Sequence, residues 1–265
     1  MGTVAGLKTG REILETLKST VDLILPYRCQ VCGKVSDTEE RFSDYGRLYN
    51  DLYGKDQELH ICGQCLSSIS ILDDDRRWSL CLSDPVGNDV CPGLALYMPF
   101  AYRGIVETAV PKIKFSKKIE LARLFGCLLG SCLKTEGVAA DLVVPVPLSP
   151  ERLAERGFNQ ASEIAYPVAK INGIRFVDDL LIRTRNTKRQ SGISDKNERR
   201  SNVNGAFGVS DAWDVTGMKI IIIDDVATTG ATLHEAAKAL YGAGAAKVIC
   251  AAFAGNRQAD NAEPF

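Results

Sequence analysis

The sequence lacks any apolar run close to the roughly 20 residues that a membrane-spanning helix needs. Its longest apolar stretch, Lys219 to Asp224, has only the length of a strand. Residues 1–20 scatter Lys8, Arg11, Glu12, Glu15 and Lys18 among apolar positions, which is not the pattern of a secretory signal. These absences lead to the expectation of a cytoplasmic protein with no membrane insertion. Internal repeats and low-complexity segments are also lacking. The net charge is only −1, which excludes a whole-molecule electrostatic grip on nucleic acid and leaves room for a local basic patch. Aromatic residues make up 7%, so a row of base-stacking rings is not available. Phe158 and Phe207 are the nearest stacking candidates, and each serves equally well as core.

What is present is a chain of 265 residues, 45% hydrophobic and 25% charged, enough for one large domain or a medium domain with a small attachment. Residues 1–26 read as an N-terminal helix, with Ile13, Leu14, Leu17, Val21 and Leu25 at spacings of three and four and Pro26 as the stop. Residues 27–93 hold six of the nine cysteines, many turn formers and little periodicity. From 94 to 256 helix-like and strand-like segments alternate, the pattern of a parallel sheet flanked by helices. Residues 257–265 read as a flexible tail.

Within 94–256, Ser116 is expected to cap a helix whose face carries Leu121, Leu124, Phe125, Leu128 and Cys132. Asp141 to Val146 reads as a short buried strand. Ser149-Pro150 is expected to open a helix with Ala161, Ile164, Ala165 and Val168 as its apolar stripe. Lys219–Ile223 and Lys247–Phe253 read as strands, with a helix over Thr232–Tyr241 between them. Cys127, Cys132 and Cys250 fall inside such elements and read as plain core.

Chemistry concentrates at residues 220–232. Four isoleucines form a strand buried on both faces. Asp224 and Asp225 follow at its carboxyl end, where open α/β sheets bind ligands. Thr228, Thr229, Gly230, Ala231 and Thr232 then open a helix, offering backbone N–H groups, hydroxyls and a favourable dipole to a phosphate. Two carboxylates beside a phosphate cradle repel the ligand unless it also brings hydroxyls or a divalent cation. A 5-phosphorylated ribose with Mg²⁺ brings both. No Walker-type Gly-Lys-Ser/Thr is present.

Two basic segments flank this loop. After Val144-Pro145-Val146-Pro147, Arg152 and Arg156 stand one helical turn apart, able to meet an oxygen-rich anion or to pair with Glu151 and Glu155. Between residues 183 and 200, seven basic residues stand against Asp195 and Glu198. Arg183, Lys188, Gln190, Arg199 and Arg200 there read as a mobile basic hood over the site, or as a solvated basic loop.

Cys29-x-x-Cys32 and Cys62-x-x-Cys65, separated by 29 residues, have the spacing of a four-thiolate zinc site. A redox role for either pair is the alternative. His60 reads as a bystander. Cys81, Asp84 and Cys91 look like remnants of a second set, without a visible fourth ligand, so no second metal is expected.

The loop resembles the phosphoribosyl-pyrophosphate (PRPP) motif of type I phosphoribosyltransferases. The resemblance implies that Asp224 and Asp225 bind the ribose hydroxyls and that residues 228–232 bind the 5-phosphate. Thr228 stands where some purine salvage enzymes carry an aspartate that contacts the base, which speaks against hypoxanthine-type substrates. Arg156-Gly157-Phe158-Asn159-Gln160 after the Val-Pro-Val-Pro strand, Gln190-Ser191-Gly192 followed by Arg199, Asn202 and Gly205-Ala206-Phe207, and the cysteine module together resemble the ComF family of bacterial competence proteins. That resemblance covers about residues 20–255. It implies a type I phosphoribosyltransferase-like α/β fold behind a zinc ribbon, with structural Zn²⁺, Mg²⁺ accompanying PRPP, and single-stranded DNA and competence-machinery proteins as partners. Three functions follow as expectations: a PRPP-binding factor in DNA uptake, a phosphoribosyltransferase acting on an unidentified acceptor, and a non-catalytic PRPP sensor. For the transferase, Arg152 and Arg156 are the candidates to meet transition-state charge, and no general base stands out.

Overall fold

The structure is a computed structural model that describes residues 28–35, 44–54, 59, 61–80, 94–184 and 203–255. The helix expected over 1–26, His60, Cys81, Asp84, Cys91, the hood residues Lys188, Gln190, Arg199 and Arg200, and the tail lie outside the described residues.

The described chain opens with a cysteine turn closed by an antiparallel bridge between Arg28 and Val35. Helices α1 (Asp44–Tyr53), α2 (Gly63–Ser67) and α3 (Asp74–Arg77) follow, and then strand β1 (Trp78–Leu80). Beyond residue 93 come β2 (Ala95–Tyr97), β3 (Phe100–Ala101), α4 (Ile105–Ser116), α5 (Ile119–Thr135) and β4 (Leu142–Pro145). Next are α6 (Pro150–Arg156), α7 (Gln160–Asn172), β5 (Arg175–Phe176), β6 (Leu181–Arg183) and β7 (Phe207–Val209). The chain closes with β8 (Lys219–Ala227), α8 (Ala231–Gly242) and β9 (Lys247–Gly255).

The main sheet runs β1-β2-β9-β8-β4-β5, with β3 also beside β9. Every pairing is parallel except β1 with β2. Trp78–Leu80, which by composition goes with the cysteine-rich segment, is therefore an antiparallel edge strand of the main sheet. Strands β8 and β9 are central and buried on both faces, which is what near-continuous apolar runs such as Ile220–Ile223 require. One face carries α4, α5, α7 and the cysteine turns, and the other carries α8. A separate antiparallel ribbon joins β6 to β7.

Local chemistry explains where several elements begin and end. Ser149 Oγ accepts the backbone N–H of Arg152 at 3.4 Å, the expected cap of α6. The single helix expected across 150–168 is in fact two. Gly157, at φ +83°, ends α6, and Asn159 caps α7 by accepting from Ala161 N at 3.0 Å. The stripe Ala161, Ile164, Ala165, Val168 belongs to α7. Ser116 does not cap the following helix. It is the last residue of α4, and Lys117 turns the chain at φ +52°.

Helix α4 is not among the expected elements, and Pro111 sits in its interior. Its buried stripe Val106, Ala109, Val110, Ile113 outweighs the lost hydrogen bond. Helices α5 and α7 approach so closely that a Cβ at Gly126 would overlap Pro167 and the carbonyl of Ile164, while one at Gly130 would stand 3.0 Å from Val168 Cα.

Candidate functional site

The site begins with a mismatch in strand length. Strand β4 pairs with β8 only from Leu142 opposite Ile220 to Pro145 opposite Ile223. Strand β9 continues beside β8 as far as Ala227 opposite Gly255. The expected strand end at Ile223 thus extends four residues, because β9 supplies partners that the sequence around Asp224 does not advertise. Residues 224–227 project past β4 with one flank unpaired by any strand among the described residues, and the turn Val146–Ser149 rises beside them. Val146 N donates to Ile223 O at 2.9 Å, which ties that turn to the base of the overhang.

The Arg156–Gln160 motif is the buttress of this turn. Asn159 Nδ2 donates to Val146 O at 3.0 Å while its Oδ1 caps α7. Arg156 Nη1 donates to Gln160 Oε1 at 2.7 Å, and its guanidinium lies 6.0 Å from the Phe115 ring centre. Phe158 is buried, and so is Phe207, so neither offers a face for base stacking. The exposed ring at this end is Phe115, at 64% exposure, which the sequence did not single out.

Asp224 and Asp225 point to opposite faces of β8, as the strand period demands. Asp225 is only 5% exposed, and Lys114 Nζ of α4 stands 2.6 Å from its Oδ2. Burial works against the Asp225 carboxylate, but the Lys114 ammonium, with hydrogen bonds from Asp224 and the Val226 backbone, holds the group below the ordinary carboxylate range. Asp224 keeps part of its surface open. Burial, and then the charge of Asp225, push it up to about 8. Its Oδ1 accepts the backbone N–H of Asp225 at 2.8 Å. Tyr102, near Lys114 and Asp225, is pushed above the ordinary phenol range by burial.

Beyond the carboxylates the chain turns through Thr228, Thr229 and Gly230. Gly230 has φ +72°, a conformation that favours glycine, and it is the N-cap of α8. Thr229 Oγ1 accepts from Ala231 N at 3.4 Å. Thr232 lies in the first turn of α8. The structure thus brings Asp224, Asp225 and residues 228–232 together at the carboxyl end of the sheet, with the positive end of a 12-residue helix behind them.

Arg156 belongs to the same neighbourhood, since its charge acts on Lys114. Arg152 lies one turn back on α6. Arg183, in β6, donates from Nη1 to Pro147 O at 3.3 Å and stacks its guanidinium 5.1 Å from the Phe207 ring centre. The root of the expected hood therefore touches the turn after β4. Lys114 and Tyr102 are the residues that sequence reading missed. The one available signal for Lys114 was its place in Lys112-Ile113-Lys114, hidden by Pro111.

The four module cysteines form a second centre. All four sulfurs lie within 4.8 Å of one another, and Cys32 Sγ is 3.8 Å from Cys62 Sγ. Tetrahedral zinc thiolates, with Zn–S near 2.3 Å, place sulfurs about 3.8 Å apart, so the set fits one Zn²⁺. Gly33, at φ +76°, lets Cys29 N and Cys29 O close the turn on Lys34 and Gly33 at 2.8 Å each. Burial disfavours the Cys29 thiolate, yet backbone donors at Cys32, Cys62 and Val31 bring it down to about 6. Burial drives Cys62 and Cys65 the other way. Four thiolates at this spacing need a dication to be charged together, and a closed Cys₄ set leaves no position for catalysis. Lys112 of α4 donates to the Val31 carbonyl between Cys29 and Cys32, so the cysteine turn is anchored on the same helix that carries Lys114.

Comparison with known proteins adds descent to this geometry. Residues 153–264 match the phosphoribosyl transferase domain family. The competence protein ComFC of Streptococcus pneumoniae is 26% identical over 231 residues, 83% of this chain and 96% of that protein. The DNA utilization protein YhgH of Salmonella typhi is 30% identical over 205 residues, 71% of this chain and 87% of that protein. The chain belongs to the ComF family. Its fold is therefore the type I phosphoribosyltransferase-like arrangement that the loop resembles, preceded by a four-cysteine cluster consistent with a zinc ribbon. Among solved structures, glutamine PRPP amidotransferase from B. subtilis is 23% identical with a TM-score of 0.37, covering 54% of this chain and 30% of that one. Among the described residues of this ComF-family chain, no helix is long and apolar enough to cross a membrane.

Proposed function

We propose that this ComF-family protein binds PRPP, accompanied by Mg²⁺, at residues 224–232, and that it acts in the cytoplasm in the handling of single-stranded DNA during natural competence. The observation that carries the first half is the overhang of β8. It sets Asp224 and Asp225 beside a positive-φ glycine turn at a helix N-terminus, with no strand among the described residues closing the β4 side. Carboxylates there suit ribose hydroxyls, and the N–H groups and hydroxyls of residues 228–232 suit the 5-phosphate. Bound Mg²⁺ would supply charge neutralisation of the diphosphate. The second half draws on relatives that are named as competence and DNA utilization proteins.

The Arg156 cation beside this loop also favours a transferase. There the bond from C1 of the ribose to the diphosphate would break, pyrophosphate would leave toward this guanidinium, and a nucleophile would take the ribose 5-phosphate.

Isothermal titration with Mg–PRPP is the deciding measurement, with saturable 1:1 binding expected. No heat and no protection from thermal unfolding would end the phosphoribosyl reading. Single-stranded DNA, titrated in parallel over a series of salt concentrations, should bind with an affinity that falls as salt rises. A salt-independent signal, or none, would end the DNA reading. Pyrophosphate release in the same mixtures separates a transferase from a binding factor.

A further inference from the structure

Asp225 lies at the ligand end of β8 and is nevertheless almost wholly removed from water. A carboxylate in that position needs a compensating charge, or it takes up a proton and stops being an acceptor on both oxygens. The compensation comes from outside the loop. Lys114 reaches across from α4, with its side chain only 25% exposed, to stand 2.6 Å from Oδ2. The contact is a short ion pair made to one buried oxygen of the carboxylate. The charged and titratable groups that face the pair, among the described residues, are Asp224 on the same strand, Tyr102 after β3 and Arg156 on α6.

We propose that Lys114 is a positioning residue of the phosphoribosyl site, holding the Asp225 carboxylate ionised and oriented through its buried Oδ2 so that the other oxygen accepts a ribose hydroxyl of the bound ligand. The inference rests on the phosphoribosyl reading of the loop. Two adjacent carboxylates compete to be the charged one, and Lys114 decides the competition. It sits on the α4 face, where Asp225 points, and leaves Asp224 on the α8 face to hold its proton more tightly. The lysine lies outside the segment that matches the phosphoribosyl transferase domain, residues 153–264. It is delivered by a helix that is also fastened to the cysteine turn through Lys112.

The test is a double-mutant cycle on the full-length protein, read by isothermal titration with Mg–PRPP. Lys114→Met is expected to weaken binding about 10- to 100-fold, the range for losing a charge-assisted hydrogen bond. Lys114→Arg, which keeps the cation, is expected to recover most of that loss. Adding Lys114→Met to Asp225→Asn should cost nothing further, because Lys114 acts through Asp225. Two results would overturn the proposal. One is Lys114→Met binding within twofold of the unsubstituted protein. The other is a further fall when Lys114→Met is added to Asp225→Asn, which would give the lysine an independent contact. If Lys114→Met alone does not fold, the comparison of the double variant with Asp225→Asn still decides, since the double variant leaves no uncompensated charge. Failure of the unsubstituted protein to bind PRPP defeats the phosphoribosyl reading and this inference together. Unimpaired Lys114→Met defeats this inference alone.

Discussion

Asp224→Asn should change how stability depends on pH, in a direction opposite to the usual effect of losing a carboxylate. An aspartate ordinarily titrates at 3.8, and in the folded protein burial and the neighbouring Asp225 move Asp224 up to about 8. Between those limits the folded state keeps a proton that the unfolded chain has already lost. Rising pH therefore favours the unfolded chain, by about 1.4 kcal/mol for each pH unit at most. From pH 5.5 to 7.5 that ceiling is about 3 kcal/mol, and because part of Asp224 remains in contact with water, about 1–3 kcal/mol is the expected loss. Asp225 adds nothing to the slope. Its carboxyl is held below the ordinary range, so its contribution is complete above that range and is lost only in stronger acid. In Asp224→Asn the titrating group is gone. Urea unfolding of both proteins at pH 5.5, 6.5 and 7.5, at fixed metal content, gives the stability difference at each pH, and all other titrations cancel in it. The variant should gain on the parent steadily as pH rises. A difference that stays constant within about 0.5 kcal/mol, the usual scatter of independent sites, would refute the argument that this carboxyl is held protonated by its surroundings.

Two further outcomes follow from the packing and the metal site. Gly126→Ala forces a methyl group into Pro167 and the Ile164 carbonyl where α5 crosses α7, and it should destabilise the fold by about 1–3 kcal/mol in urea titration, as other overpacked cores do; an unchanged midpoint would mean that the helices are free to separate. Metal analysis of the purified protein should find one zinc per chain, and Cys62→Ser/Cys65→Ser should lose it, whereas zinc retained in that variant would contradict the four-cysteine assignment.

The parts of this molecule that were legible in the sequence are those whose chemistry is contiguous. Asp224 to Thr232 lie in one unbroken stretch, so strand, carboxylates, glycine turn and helix start could be read together. The same holds for each cysteine pair, whose two-residue spacing is already a chelating turn. Legibility failed where a distant partner decides the local outcome. Aspartate is a poor strand former, yet β8 runs on through Asp224 and Asp225 because β9 offers a full set of backbone partners up to Gly255. Pro111 argues against a helix, yet α4 forms because four of its apolar side chains are buried against the core. Gly157 and Asn159 divide one apparent helix in two, since a cap and a left-handed turn outweigh a continuous apolar stripe. The most consequential failure is Lys114. Nothing within a few residues of it reports a ligand site, and its meaning lies wholly in the tertiary contact with Asp225. Sequence reading thus recovered the strand, carboxylates and glycine turn of the loop and missed the lysine that pairs with one of those carboxylates. The two depend on different physics. A phosphate cradle is made by backbone and hydroxyls that follow one another in the chain, whereas the ionisation of a buried carboxylate is fixed by whichever charge the fold brings to it.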